Sequence, residues 1–189
     1  MQEIIRIGYN RLPVLIGVDG SVKKEISRKT NTNIEIDSHT GEVVISTDGD
    51  FLNAHIAKNV VQAIARGFSP EKAFKLFNDN YVLEVISLDD YVKKSNSRHT
   101  QIKGRVIGRE GRIKKMIEQN LHCFLAIYGK TVSIISKADD LSEIRSLIEK
   151  LLGGARHTVV FKALKSYKFK NEGYKPIKKT NEIDDISFD

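Results

Sequence analysis

The sequence lacks the disulfide cysteines, the long apolar runs and the signal peptide that are typical of secreted and membrane proteins. Its 189 residues include one cysteine, Cys123, and no tryptophan. A lone cysteine cannot form an internal disulfide or a cysteine-based metal site, which is typical of a reducing compartment. No apolar run approaches the roughly 18 residues that a membrane-spanning helix needs, and the first residues lack the layout of a signal peptide. We therefore expect a cytoplasmic protein that does not act at a membrane.

Groups of side chains with the spacing of catalytic or metal sites are also missing. The five histidines form no HxH or HxxxH pair, so the sequence predicts no metal site and no cofactor. Acidic pairs such as Asp139 and Asp140 lie near predicted helix ends, where capping or solvation explains them. A nuclease would need carboxylates gathered around a metal. The sequence therefore favours a protein that is not an enzyme and has no small-molecule substrate, with an RNA-processing nuclease as a minor alternative.

What the chain has in excess is positive charge, and the excess is confined to one region. The formal net charge is +7. Residues 1–80 contain 10 basic and 10 acidic side chains, residues 81–165 contain 16 and 9, and residues 166–189 contain 5 and 5. A localised positive field attracts polyanions, so nucleic acid is the expected partner class. A solvated basic face without a partner is the alternative interpretation.

The hydrophobic pattern repeats one α/β unit twice. In the first half, an apolar run around Ile4 precedes a Gly-x-x-Gly sequence, an amphipathic helix from Ser21, two short strands and a further helix. The second half gives the same order from Tyr81, with a polar and basic segment over residues 89–103 before its own Gly-x-x-Gly sequence. Residues 166–189 have few aliphatic side chains, and we expect them to form a flexible tail.

The two Gly-x-x-Gly sequences lie in matching stretches. Residues 102–117 read IKGRVIGREGRIKKMI and residues 11–26 read RLPVLIGVDGSVKKEI, with 6 of 16 positions identical. Glycines allow tight or left-handed backbone and let a phosphate approach closely, while the start of the next helix favours anions. Alone, this four-residue pattern more often marks a plain turn. Its repeated context indicates a duplicated phosphate-binding loop.

The order of glycine pair, helix, two strands and helix resembles the type I KH modules, which bind single-stranded RNA. The segments RGFSPEKA (66–73), IKGRVIG (102–108), YGKTV (128–132) and GARHTVV (154–160) further resemble the archaeal and eukaryotic partner-of-Nob family of two-KH ribosome assembly factors. The resemblance implies an α+β fold of two tandem type I KH modules, each a three-stranded sheet packed on helices. It also implies binding near the 3′ end of small-subunit precursor ribosomal RNA, alongside a PIN-domain endonuclease. A general KH regulator of messenger RNA or transcription is the alternative.

We expect module 1 over residues 1–79, module 2 over residues 80–165 and the tail over residues 166–189. A linker helix beginning after Ser69, with proline at its first position, is expected to pack between the modules. The loops of the two modules differ in charge, since one contains Val18-Asp19 and the other Arg109-Glu110.

Because Asp19 would repel a phosphate and has no neighbouring arginine, RNA binding is expected mainly from module 2. The predicted RNA-binding residues of module 2 are Lys103, Arg105, Gly108, Arg109, Gly111, Arg112, Lys114 and Lys115. Those of module 1 are Gly17, Gly20, Lys23 and Lys24. Two further residues, Arg156 and His157, either complement the end of the preceding helix or contact RNA or a protein partner.

Overall fold

The computed structural model describes residues 2–49, 51–92 and 96–172. The first half of the chain forms a unit of three strands and three helices, followed by one short linker helix. In chain order these are β1 (Gln2–Arg6), α1 (Leu12–Ile16), α2 (Ser21–Thr30), β2 (Asn33–Asp37), β3 (Glu42–Ser46), α3 (Phe51–Ala65) and the linker α4 (Pro70–Ala73).

The second half repeats the same order and adds one helix. Its elements are β4 (Tyr81–Ser87), α5 (Asn96–Ile107), α6 (Arg112–Asn120), β5 (Phe124–Tyr128), β6 (Thr131–Lys137), α7 (Ala138–Leu152) and α8 (His157–Glu172). Within the described ranges, none of these helices has the length and apolar character needed to cross a membrane.

Each sheet is antiparallel and places the last strand of its unit in the centre. The strand orders are β1-β3-β2 and β4-β6-β5. In the second sheet, Leu125 lies opposite Ile134 and Leu83 lies opposite Ile135. The α+β fold predicted from the sequence, with two three-stranded sheets packed on helices, is confirmed.

The sequence pattern misses one helix in each unit, directly before each Gly-x-x-Gly loop. Helix α1 is little more than one turn and has Pro13 in its first turn. Helix α5 covers much of the segment that the sequence describes only as polar and basic. It buries Ile102 and Val106, which lie one turn apart. Gly104 between them weakens the helical signal, because glycine is a poor helix former.

The second sheet is buried on both faces. On one face, Val132 and Ile134 pack in a core with the helices of their own unit. On the other face, Ala126 and Ile135 belong to the core of the first unit, which also contains Leu76 from the segment after α4. The two units therefore share apolar packing, and the linker segment lies between them as the sequence predicts.

Polar contacts reinforce this junction around one arginine. The Nε of Arg11 donates a 2.8 Å hydrogen bond to the carbonyl of Ile64, and its Nη2 donates to the carbonyl of Phe68. The guanidinium also lies 5.8 Å from the ring centroid of Tyr128 in the second unit. Burial lowers the pKa of Arg11, and the neighbouring Tyr128 opposes this shift. Gly67 has a φ of +103°, and a Cβ there would lie 2.8 Å from the Cβ of Tyr128.

Helix α8 packs against the second unit. The core of the second unit includes Val160, Leu164 and Tyr167 of this helix. The Tyr167 hydroxyl also donates a 2.7 Å hydrogen bond to Asp140. Asp140 lies in the first turn of α7, where an acid suits the helix dipole. The helix extends to Glu172. The prediction of a flexible tail from residue 166 is therefore wrong for residues 166–172, which remain helical because Tyr167 packs in the core. The rest of the segment predicted as a tail, residues 173–189, lies outside the described residues.

Replacing Arg11 tests the junction. We expect Arg11→Met to lower the free energy of unfolding by about 1–3 kcal/mol, because two carbonyls lose a charged donor. Arg6→Met is the matched control, since Arg6 forms an exposed ion pair with Glu42 and exposed pairs contribute little. Urea denaturation measures both variants. Equal losses would show that Arg11 has no special role at the junction.

Candidate nucleic-acid interface

The two Gly-x-x-Gly loops have the same backbone conformation. The first glycine has φ 74° and ψ 177° at Gly17, and φ 71° and ψ 173° at Gly108. The second has φ 75° at both Gly20 and Gly111, with ψ of 17° and 13°. Each loop leads into a helix, α2 or α6. The duplicated backbone geometry inferred from the sequence is thus present in both units.

The two glycines of the second loop are required for different reasons. Gly108 occupies a backbone region that is essentially restricted to glycine, and an added Cβ would lie 2.9 Å from the Cβ of Ile113. Gly111 is left-handed, but a Cβ there would meet no heavy atom within 4 Å. The first glycine therefore lets α6 pack closely, while the second leaves open space beside the loop.

A lysine occupies the corresponding space in the first loop. The Cε of Lys24 lies 3.6 Å from the position of a Cβ on Gly20, and its Nζ donates a 2.9 Å hydrogen bond to the carbonyl of Asp19. The equivalent residue in the second unit is Lys115. Within the described part of the chain, its ammonium makes no hydrogen bond or ion pair. The first loop is therefore partly covered by its own lysine, and the second is open.

The second loop also carries more positive charge. Arg109 is exposed in the loop, and Arg112 is 65% exposed at the start of α6, 3.8 Å from Glu110. In the first loop, the position of Arg109 is held by Val18, which is 82% exposed. Exposed cations beside an open glycine turn can pair with phosphates.

The remaining predicted cations of both units lie on the helices beside the loops. In α5 and α6 these are Lys103, Arg105, Lys114 and Lys115, and in α2 they are Lys23 and Lys24. Lys103, Lys114 and Lys23 are half-buried, whereas Lys115 and Lys24 are exposed. The predicted residues of each unit thus lie in its glycine loop or in the helices that flank the loop.

Arg156 and His157 lie at the start of α8, next to the last turn of α5. The Nε2 of His157 is 3.1 Å from the carbonyl oxygen of Arg105, one of the last carbonyls of α5. The Nη1 of Arg105 in turn reaches the carbonyl of Ala155 at 3.4 Å. His157 therefore complements a helix end, but that of α5 and not of the preceding α7. Arg156 is exposed.

The sequence does not predict one contact between the units, which is made by a lysine of the linker helix. The Nζ of Lys72, in α4, lies 3.9 Å from Oε1 of Glu118 and 5.4 Å from the ring centroid of Phe124. Lys114 lies 4.0 Å from the same oxygen. No spacing in the sequence relates positions 72 and 118, because their contact depends on how the two units pack.

The described residues provide no reactive thiol and no group of ligands for a metal ion. Cys123 is buried, and its burial raises the pKa of the thiol to about 12. A thiol with such a pKa stays protonated and is a poor nucleophile. Among the described residues, no three histidine, cysteine or acidic side chains are placed to hold a metal ion.

Comparison with known proteins identifies the family. Residues 82–169 match the family model of the eukaryotic type KH-domain (KH-domain type I), in the form of the second such domain of partner-of-Nob proteins. A KH domain-containing protein of Methanocaldococcus jannaschii is 38% identical over 188 residues, which cover 97% of this chain and 82% of that protein. The chain belongs to the partner-of-Nob (PNO1/Dim2) family. The resemblance drawn from the sequence segments is therefore confirmed.

Solved structures of PNO1/Dim2 proteins have the same fold. Dim2p from Pyrococcus horikoshii is 40% identical, with a TM-score of 0.81 over 88% of this chain and 99% of that chain. The complex of a/eIF2alpha, aDim2p and rRNA from the same organism contains a chain that is 41% identical, with a TM-score of 0.83 over 90% of this chain and 95% of that chain. The PNO1/Dim2 family consists of RNA-binding KH proteins of ribosome biogenesis.

The two glycines of the second loop should differ in their tolerance of a side chain. We expect Gly108→Ala to lower the free energy of unfolding by about 3 kcal/mol, since its backbone region excludes other residues and the Cβ would collide with Ile113. Gly111→Ala should cost only about 1 kcal/mol, because left-handed backbone is strained without a clash. Urea denaturation measures both. A loss at Gly111 as large as that at Gly108 would contradict this assignment.

Proposed function

We propose that the chain binds single-stranded RNA through module 2 and acts as a non-enzymatic adaptor in small-subunit ribosomal RNA maturation. The observation that carries this proposal is the open second loop, where Arg109 and Arg112 are exposed beside Gly111. The rRNA in the complex of the aDim2p relative supports the class of RNA. The family resemblance supports a site near the 3′ end of the precursor and a PIN-domain endonuclease as a partner.

In this proposal the RNA backbone lies along the second loop. The strand approaches the open side of Gly111, next to the first turn of α6, where unpaired N–H groups favour anions. Arg109 and Arg112 pair with phosphates, and the cations of α5 and α6 flank the strand. Four phosphates engaged on a single strand would give a slope of log affinity against log salt of about −3. Such binding is weak alone, so a partner protein would raise the effective concentration.

Module 1 has a lesser role in RNA binding under this proposal. Its loop keeps Gly17 and Gly20, but Lys24 is engaged with the loop carbonyl of Asp19. Binding RNA there would require that hydrogen bond to break. We assign residues 1–79 to a module that supports module 2 (80–165) and offers surface to a protein partner, and we assign no role to the tail.

Charge reversal in the two loops tests the inequality of the modules. We expect Arg109→Asp combined with Arg112→Asp to abolish binding to single-stranded RNA, because two phosphate partners become repulsive. The matched control is Val18→Asp combined with Ser21→Asp at the equivalent positions, which should have a much smaller effect. Fluorescence anisotropy with a labelled oligonucleotide measures both. Equal losses would contradict the unequal roles.

Cellular crosslinking tests the class of RNA. Sequencing of the RNA crosslinked to the chain should yield mainly small-subunit precursor rRNA with reads concentrated near its 3′ end. Reads dominated by messenger RNA would overturn the ribosomal part of the proposal while leaving RNA binding itself intact.

A further inference from the structure

A carboxylate lies against the edge of the second sheet, within the module proposed to bind RNA. Glu118 belongs to α6, and its Oε1 accepts a 2.8 Å hydrogen bond from the backbone N–H of Leu125 in β5. The side chain keeps 18% of its surface exposed. A backbone N–H bound by a carboxylate is a charge-assisted contact, so Glu118 is fixed in position relative to the strand.

Strand β5 is at the edge of its sheet. In the order β4-β6-β5 it pairs only with β6. Tyr128 and Thr131 close the turn between these strands, so Leu125, opposite Ile134, is a position whose backbone groups point away from β6. Glu118 therefore lies on the side of β5 that has no neighbouring strand, where the backbone can bind a further partner.

Two lysines lie near this carboxylate without a hydrogen bond to it. Lys72 and Lys114 both approach Oε1, at 3.9 and 4.0 Å. Oε2 makes no hydrogen bond to any of the described residues. Module 1 contributes one of the two cations, through α4, so the packing of the units fixes this group. The free oxygen is an acceptor without a donor.

Glu118 is also at a suitable distance from the loop. Helix α6 begins directly after Gly111, and Glu118 follows seven residues later, about 10 Å along the helix at 1.5 Å per residue. KH loops clamp about four nucleotides, which span at least ~10 Å even at the ~3.4 Å spacing of a stacked strand. A base of a strand clamped by the loop can therefore reach Glu118.

We propose that Oε2 of Glu118 accepts a hydrogen bond from the exocyclic amino group of cytosine, and so sets the base preference of module 2. This inference rests on the proposed RNA-binding function. Carboxylates accept from the amino group of cytosine, whereas uracil presents an oxygen at that position. Because Oε1 is occupied, the free oxygen matches a single amino donor. Module 1 has Ser27 at the equivalent position, so it has no carboxylate there to accept the amino group.

The test compares cytidine and uridine homopolymers of equal length by fluorescence anisotropy. We expect the wild-type chain to bind the cytidine RNA roughly tenfold more tightly, the size of one hydrogen bond to a charged group. Glu118→Gln keeps an acceptor for the N–H of Leu125 but removes the charge, and should reduce the ratio to about twofold or less. Glu143→Gln, the same change at an exposed position of α7, should keep the full ratio.

The outcomes separate this inference from the proposed function. Wild-type chain that binds neither RNA overturns the RNA-binding function and the inference with it. Binding with equal affinities, or a ratio unchanged in Glu118→Gln, overturns the base preference alone and leaves Glu118 as a bridge between the units. If Glu118→Gln unfolds, the test uses the wild-type chain instead. Its affinity for cytidine RNA is compared with that for RNA in which cytosine is replaced by 2-pyrimidinone, a base without the amino group. Affinity unchanged by that substitution overturns the inference.

Discussion

The packing of the second sheet against the first unit is the interaction on which the rest of the structure depends. Ala126 and Ile135 lie in the core of the first unit, so module 2 has no free sheet face and cannot turn relative to module 1 without exposing apolar surface. Arg11 satisfies carbonyls at the same junction. The consequence for function is that Lys72, a residue of the linker, is held beside Glu118 in the other unit.

Duplication has preserved backbone geometry in this protein while the charges have diverged. Gly17 and Gly108 share a conformation that only glycine adopts readily, because the helix that follows each must begin in close contact with the loop. The cations next to the loops are not fixed by folding in this way. Lys24 donates a hydrogen bond to the carbonyl of Asp19 in the first loop, whereas Lys115 makes no such bond in the second. The second loop is therefore the more accessible to a phosphate.

The sequence predicts the elements that depend on local pattern and misses those that depend on packing. The hairpins and the helices α2, α3, α6 and α7 follow from periodicity. Helix α1 is too short for such a pattern, α5 is interrupted by Gly104, and the sequence predicts no helix at α8. The junction itself has no clear signal in the sequence. Strand β6 is buried almost throughout although it contains Ser133 and Ser136, whereas β3 alternates in burial although its sequence EVVIS is the more continuously apolar. The contact between Lys72 and Glu118 likewise follows only from how the units pack.

Under the proposed function, one strong and one weak RNA site in units that share apolar packing have a consequence for how RNA is selected. Two equal loops would gain affinity by binding one strand together, provided that the spacing matched. A single loop that engages about four phosphates cannot reach high affinity by charge alone, and its selectivity must come from bases read beside it and from a partner that brings the RNA close. The shared core suits this arrangement, since it fixes the surface of module 1 relative to the RNA on module 2. A partner docked on module 1 would then be held at a set distance from the clamped strand.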